Sequence, residues 1–179
     1  EFRRPTPEWL ITPEGVKHAG SVTPLELQLP GNANRGNATQ AIAAATSCFD
    51  IPVADAAKAA GTVDNVAGRY STITHGDHQV HMLLAKNPAG WQEALSMVDR
   101  SADGLVIAVN GQVADGEDLS WLWDVVFESF EGISVKASGE RSADLGVRLL
   151  YGGIEHETIP DPVKAIEACP PGEVEGLAN

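Results

Sequence analysis

The chain has 179 residues, 43% of them hydrophobic and 21% charged, the composition of an ordinary globular protein with a core of its own. A formal net charge of −13 repels phosphate backbones, which makes nucleic acid a poor partner, and an anionic ligand would need local cations or helix N-termini. No apolar run approaches the roughly 20 residues of a membrane span, so the chain is expected not to cross a membrane.

No basic segment followed by an apolar one opens the chain, and no signal peptide is expected. Glu1-Phe2 reads as a cloning remnant. The abrupt opening "EFRRPTPEW" and the closing "VEGLAN" together suggest a fragment of a longer protein. Cys48 and Cys169 belong to no CxxC pair and sit among apolar neighbours, so both are expected to be reduced, packed thiols of a cytoplasmic protein.

Residues 9–29 read as short strands, with Leu25, Leu27 and Leu29 of "PLELQL" on one face. After the loop "PGNANRG", the segment "NATQAIAAATSCF" reads as a helix with Asn37 as N-cap and Ile42, Ala45 and Phe49 on one stripe. "PVADAAKAAG" is a second helix, closed by Gly61. "GRYSTITHGDHQVHMLLA" is a hairpin turning at Gly76-Asp77. Beyond it, strands and helices alternate. The helix "NPAGWQEALSMV" has Asn87 as cap, Pro88 at its first position, and Trp91, Leu95 and Val98 facing the core. The apolar run "GLVIAV" has the pattern of a strand covered on both faces. Strand "ISVKAS", helix "ERSADLGVRLLYGG", strand "EHETI", helix "DPVKAIEAC" and strand "EVEGLAN" complete the chain. This alternation predicts an α/β fold: a Rossmann-like, mostly parallel sheet flanked by helices over 69–179, preceded by the tail of another domain over 1–68. Ligands of such sheets gather at the carboxyl ends of the strands, where "NGQVADGEDLSW" follows "GLVIAV".

Few motifs carry chemistry. "GNANRGNA" spaces its glycines like a P-loop but has Asn37 and Ala38 where Lys and Ser or Thr belong, and no dinucleotide fingerprint follows a strand. Asn34 and Asn37 suit either a nucleotide base or a helix cap, with capping favoured for Asn37. His75, His78 and His81 are spaced by three along a hairpin, which sends His78 and His81 to opposite faces; a solvated turn is expected and no metal site. Lys86 stands near a helix N-terminus, where an anion could bind or a surface lysine simply sit. Arg141 with Asp144, and Asp144 with Arg148, have ion-pair spacing. The segment "VNGQVADGEDLSWLWD" concentrates Asp115, Glu117, Asp118 and Asp124 around two tryptophans, with no Cys or His beside them. Asp118 or Ser120 could cap a short helix. Trp121 and Trp123 cannot both face one core, so one of them is expected at the surface, where tryptophan anchors protein interfaces. The segment reads as a docking edge, not as a self-contained active site.

In this order, "LPGNANRGNATQAIAAA", "GRY", "LLAKNPAGWQEAL", "VNGQVADGEDLSWLWD" and "SGERSADLGVRLLY" resemble the MurT family, the Mur-ligase-like subunits of lipid II isoglutaminyl synthase, over nearly the whole chain. The resemblance assigns residues 1–68 to the end of a Mur-ligase central domain and 69–179 to the C-terminal Rossmann-like domain. It implies ATP- and Mg²⁺-dependent activation of the D-glutamate α-carboxyl in the lipid II stem peptide. Ammonia released from glutamine by a Cys-His glutaminase, GatD, then converts it to D-isoglutamine, a step of peptidoglycan synthesis at the inner face of the membrane. It further implies that Asp118 is the third member of the glutaminase triad, that Asp115 and Trp121 shape the interface, and that Asn34, Asn37, Arg69, Lys86 and Asn87 line the ATP cleft. Leu83 and Leu84 stand where many Mur ligases carry an acidic residue. The P-loop segment and the four-cysteine zinc ribbon of such subunits are not in this sequence, so the chain alone is expected neither to hydrolyse ATP nor to amidate lipid II. Two other readings are a non-catalytic docking module for the glutaminase and the C-terminal part of an ordinary Mur amino-acid ligase.

Overall fold

A computed structural model describes residues 6–65, 70–112, 117–130 and 132–179. The chain divides into two compact units, 1–65 and 66–179.

In the first unit, β1 (Trp9–Thr12), β2 (Gly15–His18) and β3 (Ser21–Pro24) form an antiparallel meander. Helices α1 (Asn32–Phe49) and α2 (Val53–Ala60) follow, and Val16, Leu25, Ile42, Ala56 and Ala57 make the core. The expected strand over "PLELQL" does not form. β3 ends at Pro24, and the Leu25 carbonyl accepts from the Arg35 guanidinium (3.4 Å) in place of a neighbouring strand. Leu25 is nonetheless buried, so the inward side of the pattern survives without a ladder. Helix α1 starts five residues ahead of the expected cap. Gly31, at φ 92°, turns the chain into the helix, and the Asn34 amide donates back to the Pro30 carbonyl (2.6 Å). Asn37 is therefore an exposed interior residue, not a cap. Phe49 is exposed and Cys48 with it, so neither the stripe nor the packed thiol extends to the end of the helix; Cys169 is the buried cysteine.

The second unit is a six-stranded sheet in the order β4-β5-β9-β6-β7-β8. The hairpin β4 (Tyr70–His75) and β5 (His78–Leu84) turns at Gly76-Asp77 and contributes the antiparallel edge. β6 (Gly104–Ala108), β7 (Val135–Ser138), β8 (His156–Thr158) and β9 (Gly172–Ala178) run parallel to β5. β9 enters between β5 and β6, so the last strand of the chain is interior to the sheet. The two-residue period of the strands divides the core. Leu83, Leu105, Ile107, Val135, Ala137 and Leu177 meet α3 (Pro88–Met97) and α4 (Ser142–Tyr151) on one face. Val80, Val106 and Val174 meet α5 (Pro162–Glu167) on the other. Asn87 caps α3 by accepting from the Gly90 amide (2.8 Å), and Asp161 caps α5. No helix of the described residues is long and apolar enough to cross a membrane.

The interior position of β9 buries an acidic residue. Glu175 is 5% exposed and faces His81 (3.3 Å), whose other ring nitrogen lies 3.3 Å from Glu173. Burial pushes the Glu175 carboxyl above its ordinary 4.5, against the opposing pull of His81. A carboxyl raised on folding holds its proton more tightly in the folded state, so the stability it contributes is present at acid pH and is lost as pH rises through the raised value. Glu175→Gln should therefore be more stable than the parent protein at pH 7, with the gain vanishing as pH falls below 4.5. Urea denaturation across this range measures it, and a pH-independent difference would contradict the assignment.

Candidate functional site

The carboxyl ends of the central strands are joined by side-chain amides. Asn110, just past β6, donates its backbone N–H to the Asn179 side chain (2.8 Å), and the Asn179 amide donates back to the Asn110 carbonyl (3.1 Å). Asn110 Oδ1 accepts from the Glu140 amide (3.2 Å), and Gln112 donates to the Glu140 carboxylate. Gly139, at φ 86°, permits this closure, because a Cβ there would lie 2.4 Å from the Val109 carbonyl oxygen.

The segment 117–130 lies beyond this edge. Asp118 is exposed, and its Oδ1 accepts from the Ser120 amide (2.8 Å), starting the 3₁₀ helix Ser120–Asp124. The Ser120 backbone bond, with the Ser120 side chain adding to it, holds the Asp118 carboxyl below the usual carboxylate range. Beneath it Leu119, Leu122, Val125, Phe127 and Phe130 are buried. Trp121, assigned to the interface by the resemblance, is half-buried and stacks on the fully buried Trp91 (5.6 Å between centroids). The outward ring is Trp123, 56% exposed and edge-on to Tyr151 at 5.5 Å. Helical spacing puts the two rings on different sides, and the one over α3 is drawn into the core.

Arg148 fastens this segment to the domain. It is 6% exposed and donates from Nε to the Leu122 carbonyl (3.2 Å) and from Nη2 to the Val125 carbonyl (2.7 Å) and Glu128 (2.9 Å). Its guanidinium also lies 5.6 Å from the Trp123 ring and 5.4 Å from the Phe127 ring. The expected Asp144–Arg148 pair is thus replaced by Arg148–Glu128, because Arg148 points inward, while Asp144 pairs with Arg141 (2.9 Å) as spaced. The sequence does hold a signal for this. Arg148 falls between Leu145 and Leu149 on the buried stripe of α4, where a cation needs internal partners.

The remaining candidates are dispersed. Asp115 and Arg69 lie outside the described residues. Lys86 is exposed just past β5, immediately before the N-cap of α3. Asn87 has its side-chain oxygen engaged in that cap. Asn34 and Asn37 belong to the first unit. The three histidines meet different partners: His75 meets Glu167, His81 meets Glu173 and Glu175, and His78 is buried against the Cys169 carbonyl, where a solvated turn was expected. No group of three metal-ligating side chains occurs among the described residues. What the site offers chemically is an ionised carboxylate presented outward from a braced segment, suited to accept an N–H from another molecule.

A mostly parallel sheet with an antiparallel edge, built in this order, is the fold of Mur-ligase C-terminal domains. The chain superposes on UDP-N-acetylmuramate-alanine ligase MurC of Thermotoga maritima with a TM-score of 0.66 at 18% identity, covering 91% of this chain and 38% of that one. It superposes on MurF of Acinetobacter baumannii with a TM-score of 0.65 at 18% identity, covering 96% and 41%. Residues 84–171 match the family described as MurT ligase C-terminal. It is 33% identical over 101 residues to the MurT subunit of lipid II isoglutaminyl synthase (glutamine-hydrolyzing) from Streptococcus pneumoniae, covering 54% of this chain and 23% of that subunit. The Staphylococcus aureus subunit is 35% identical over 100 residues, covering 52% and 22%. The matched segment thus spans less than a quarter of the length of these relatives.

Replacing Arg148 with Met should preserve most of the packing but leave the Val125 carbonyl without its side-chain donor and the Leu122 carbonyl with only the long bond from the Val125 N–H (3.4 Å). A loss of about 3 kcal/mol is expected in denaturant unfolding, accompanied by a changed Trp123 environment in near-UV circular dichroism. A loss below about 1 kcal/mol would show that the segment holds without it.

Proposed function

We propose that this chain is part of the ATP-dependent ligase subunit of a glutamine-hydrolysing enzyme. That enzyme amidates the D-glutamate of lipid II to D-isoglutamine in cytoplasmic peptidoglycan synthesis. The second unit docks the glutaminase subunit, GatD, and supplies Asp118 to its Cys-His site; the first unit is the end of a Mur-type central domain. The observation that carries this reading is the state of Asp118 within a MurT ligase C-terminal domain: exposed, held ionised by Ser120, and free of any histidine of its own among the described residues. A carboxylate in that state can accept the imidazole N–H of a partner's histidine, fix its tautomer and stabilise the imidazolium formed when the cysteine loses its proton. Ser120 keeps the carboxylate oriented, and Arg148 keeps the segment in place.

ATP would supply the activation of the substrate carboxyl. Of the residues expected at its cleft, Lys86 fits a phosphate group best. Its ammonium is exposed beside the amino end of a ten-residue helix and forms no ion pair among the described residues. The Asn34 amide and the Asn87 oxygen are already bonded within their own helices. Mg²⁺ finds no comparable ligand set among the described residues.

Asp118→Asn separates the charge from the turn, since an asparagine oxygen can still accept from Ser120. In the full-length subunit with its glutaminase, this variant should cut glutamine hydrolysis by a factor on the order of 10⁴ while the complex still forms in a pull-down. Hydrolysis that survives would reduce the domain to a docking module. Absence of any complex, even with Asp118 intact, would favour an ordinary Mur amino-acid ligase.

A further inference from the structure

The two edges of the six-stranded sheet are not alike. β8 is three residues long, too short to template another strand, and its Glu157 holds a charge paired with Lys136 (2.8 Å). β4 is six residues long, pairs only with β5 among the described residues, and exposes Thr72, Ile73 and Thr74. An edge of that length is ordinarily blunted by lysine, proline or a bulge. β4 has none of these. Its sequence, YSTITH, contains no Lys, Arg, Asp, Glu or Pro, and its residues pair with β5 one to one with none skipped. β-branched residues, which favour strand pairing, fill its middle.

The hairpin register identifies the backbone groups left over. The turn has two residues, Gly76 and Asp77, so His75 and His78 form a hydrogen-bonded pair, and the two kinds of pair alternate from there along the ladder. Ile73 and Ser71 spend their N–H and C=O groups on β5. Those of Thr74, Thr72 and Tyr70 point away from it, and they meet no other backbone group among the described residues. This spacing is self-complementary. A second β4, laid antiparallel with Thr72 against Thr72, sets Tyr70 against Thr74 on either side, and every outward group finds a partner. Charge permits the same arrangement. The acidic groups nearest to the strand, Asp77 in the turn and Glu167 against His75, stand at one end of it, and antiparallel pairing sends those ends in opposite directions. A foreign strand would need side-chain pockets for its specificity, and Ser71, Thr72 and Thr74 are too small to build them.

We propose that β4 is a dimerisation edge. Two copies of this chain pair their β4 strands antiparallel about a two-fold axis at Thr72, which joins two six-stranded sheets into one. β5 and β9 separate β4 from β6, the strand that leads to the Asp118 segment, so dimerisation is separable from the carboxylate role proposed above.

The test follows the full-length subunit by analytical ultracentrifugation over a dilution series, at low and at high salt, with thermal midpoints as the check on folding. Thr72→Lys and Thr72→Asp each place like charges face to face at the axis. Each should weaken self-association by about 100-fold or more at an unchanged midpoint. An equimolar mixture of the two variants should restore the dimer, because Lys then meets Asp. Thr74→Pro removes an outward N–H without touching a bond to β5, and it should weaken the dimer as well. Wild-type association should strengthen with salt, since each copy brings a net charge of −13. A wild-type subunit that stays monomeric throughout the series would overturn the proposal. A dimer that survives all three substitutions, or a mixture of folded Thr72 variants that stays monomeric, would overturn it too. Loss of glutaminase binding in the Thr72 variants, with no wild-type dimer, would assign the edge to that partner instead.

Discussion

The guanidinium of Arg148 sets the conditions for everything built at this end of the domain. A segment with two tryptophans, two phenylalanines and several carboxylates has little regular structure of its own, only short 3₁₀ turns at Ser120–Asp124 and Glu128–Phe130. Such short turns satisfy only some of their own carbonyls, those of Leu119, Leu122 and Phe127 accepting one backbone N–H each. Arg148 supplies donors to the Leu122 and Val125 carbonyls and a counter-charge to Glu128, and its planar cation fits between the Trp123 and Phe127 rings. A lysine could not make this fork of contacts. The segment is therefore fixed from below, which leaves its upper side, with Asp118 and Trp123, free to meet another molecule.

The sheet supplies the second constraint. Because β9 lies between β5 and β6, the end of the chain reaches the same edge as Asn110, and the Asn110–Asn179 exchange closes that edge. Gly139 allows β7 to leave the sheet against the Val109 carbonyl without a clash. Asp118 is oriented locally, by the Ser120 N–H that its Oδ1 accepts, in a segment that Arg148 holds to the domain. For the role proposed for Asp118, such orientation matters, since a hydrogen bond tolerates only a few tenths of an ångström.

Much of the second unit was legible from pattern alone. The hairpin at Gly76-Asp77, the Asn87 cap with Pro88 and the buried run of β6 all follow from local preferences that agree with the tertiary structure. The first unit was less legible. There, Gly31 and Asn34 started a helix ahead of a more obvious cap, and Pro24 ended a ladder that the leucine alternation would have continued. The lost ladder goes with contacts distant in sequence, the reach of Arg35 to Thr12 (2.8 Å) and Leu25, and the early helix start with a local bond, Asn34 to the Pro30 carbonyl. Within the site, the motif singles out Asp118 as the candidate carboxylate. The roles of Arg148 and of the two tryptophans were not separated by it.

The sequence by itself determined the alternation of strands and helices, the division of the sheet into two buried faces, the Asn87 cap and the family resemblance, because each depends on neighbours within a few turns. The tertiary structure decided that β9 is interior, that Arg148 turns inward to Glu128 and not along its helix to Asp144, and that Trp123, not Trp121, faces outward. Those outcomes depend on which distant carbonyls and rings need partners once the chain has closed, and a one-dimensional pattern does not carry that information.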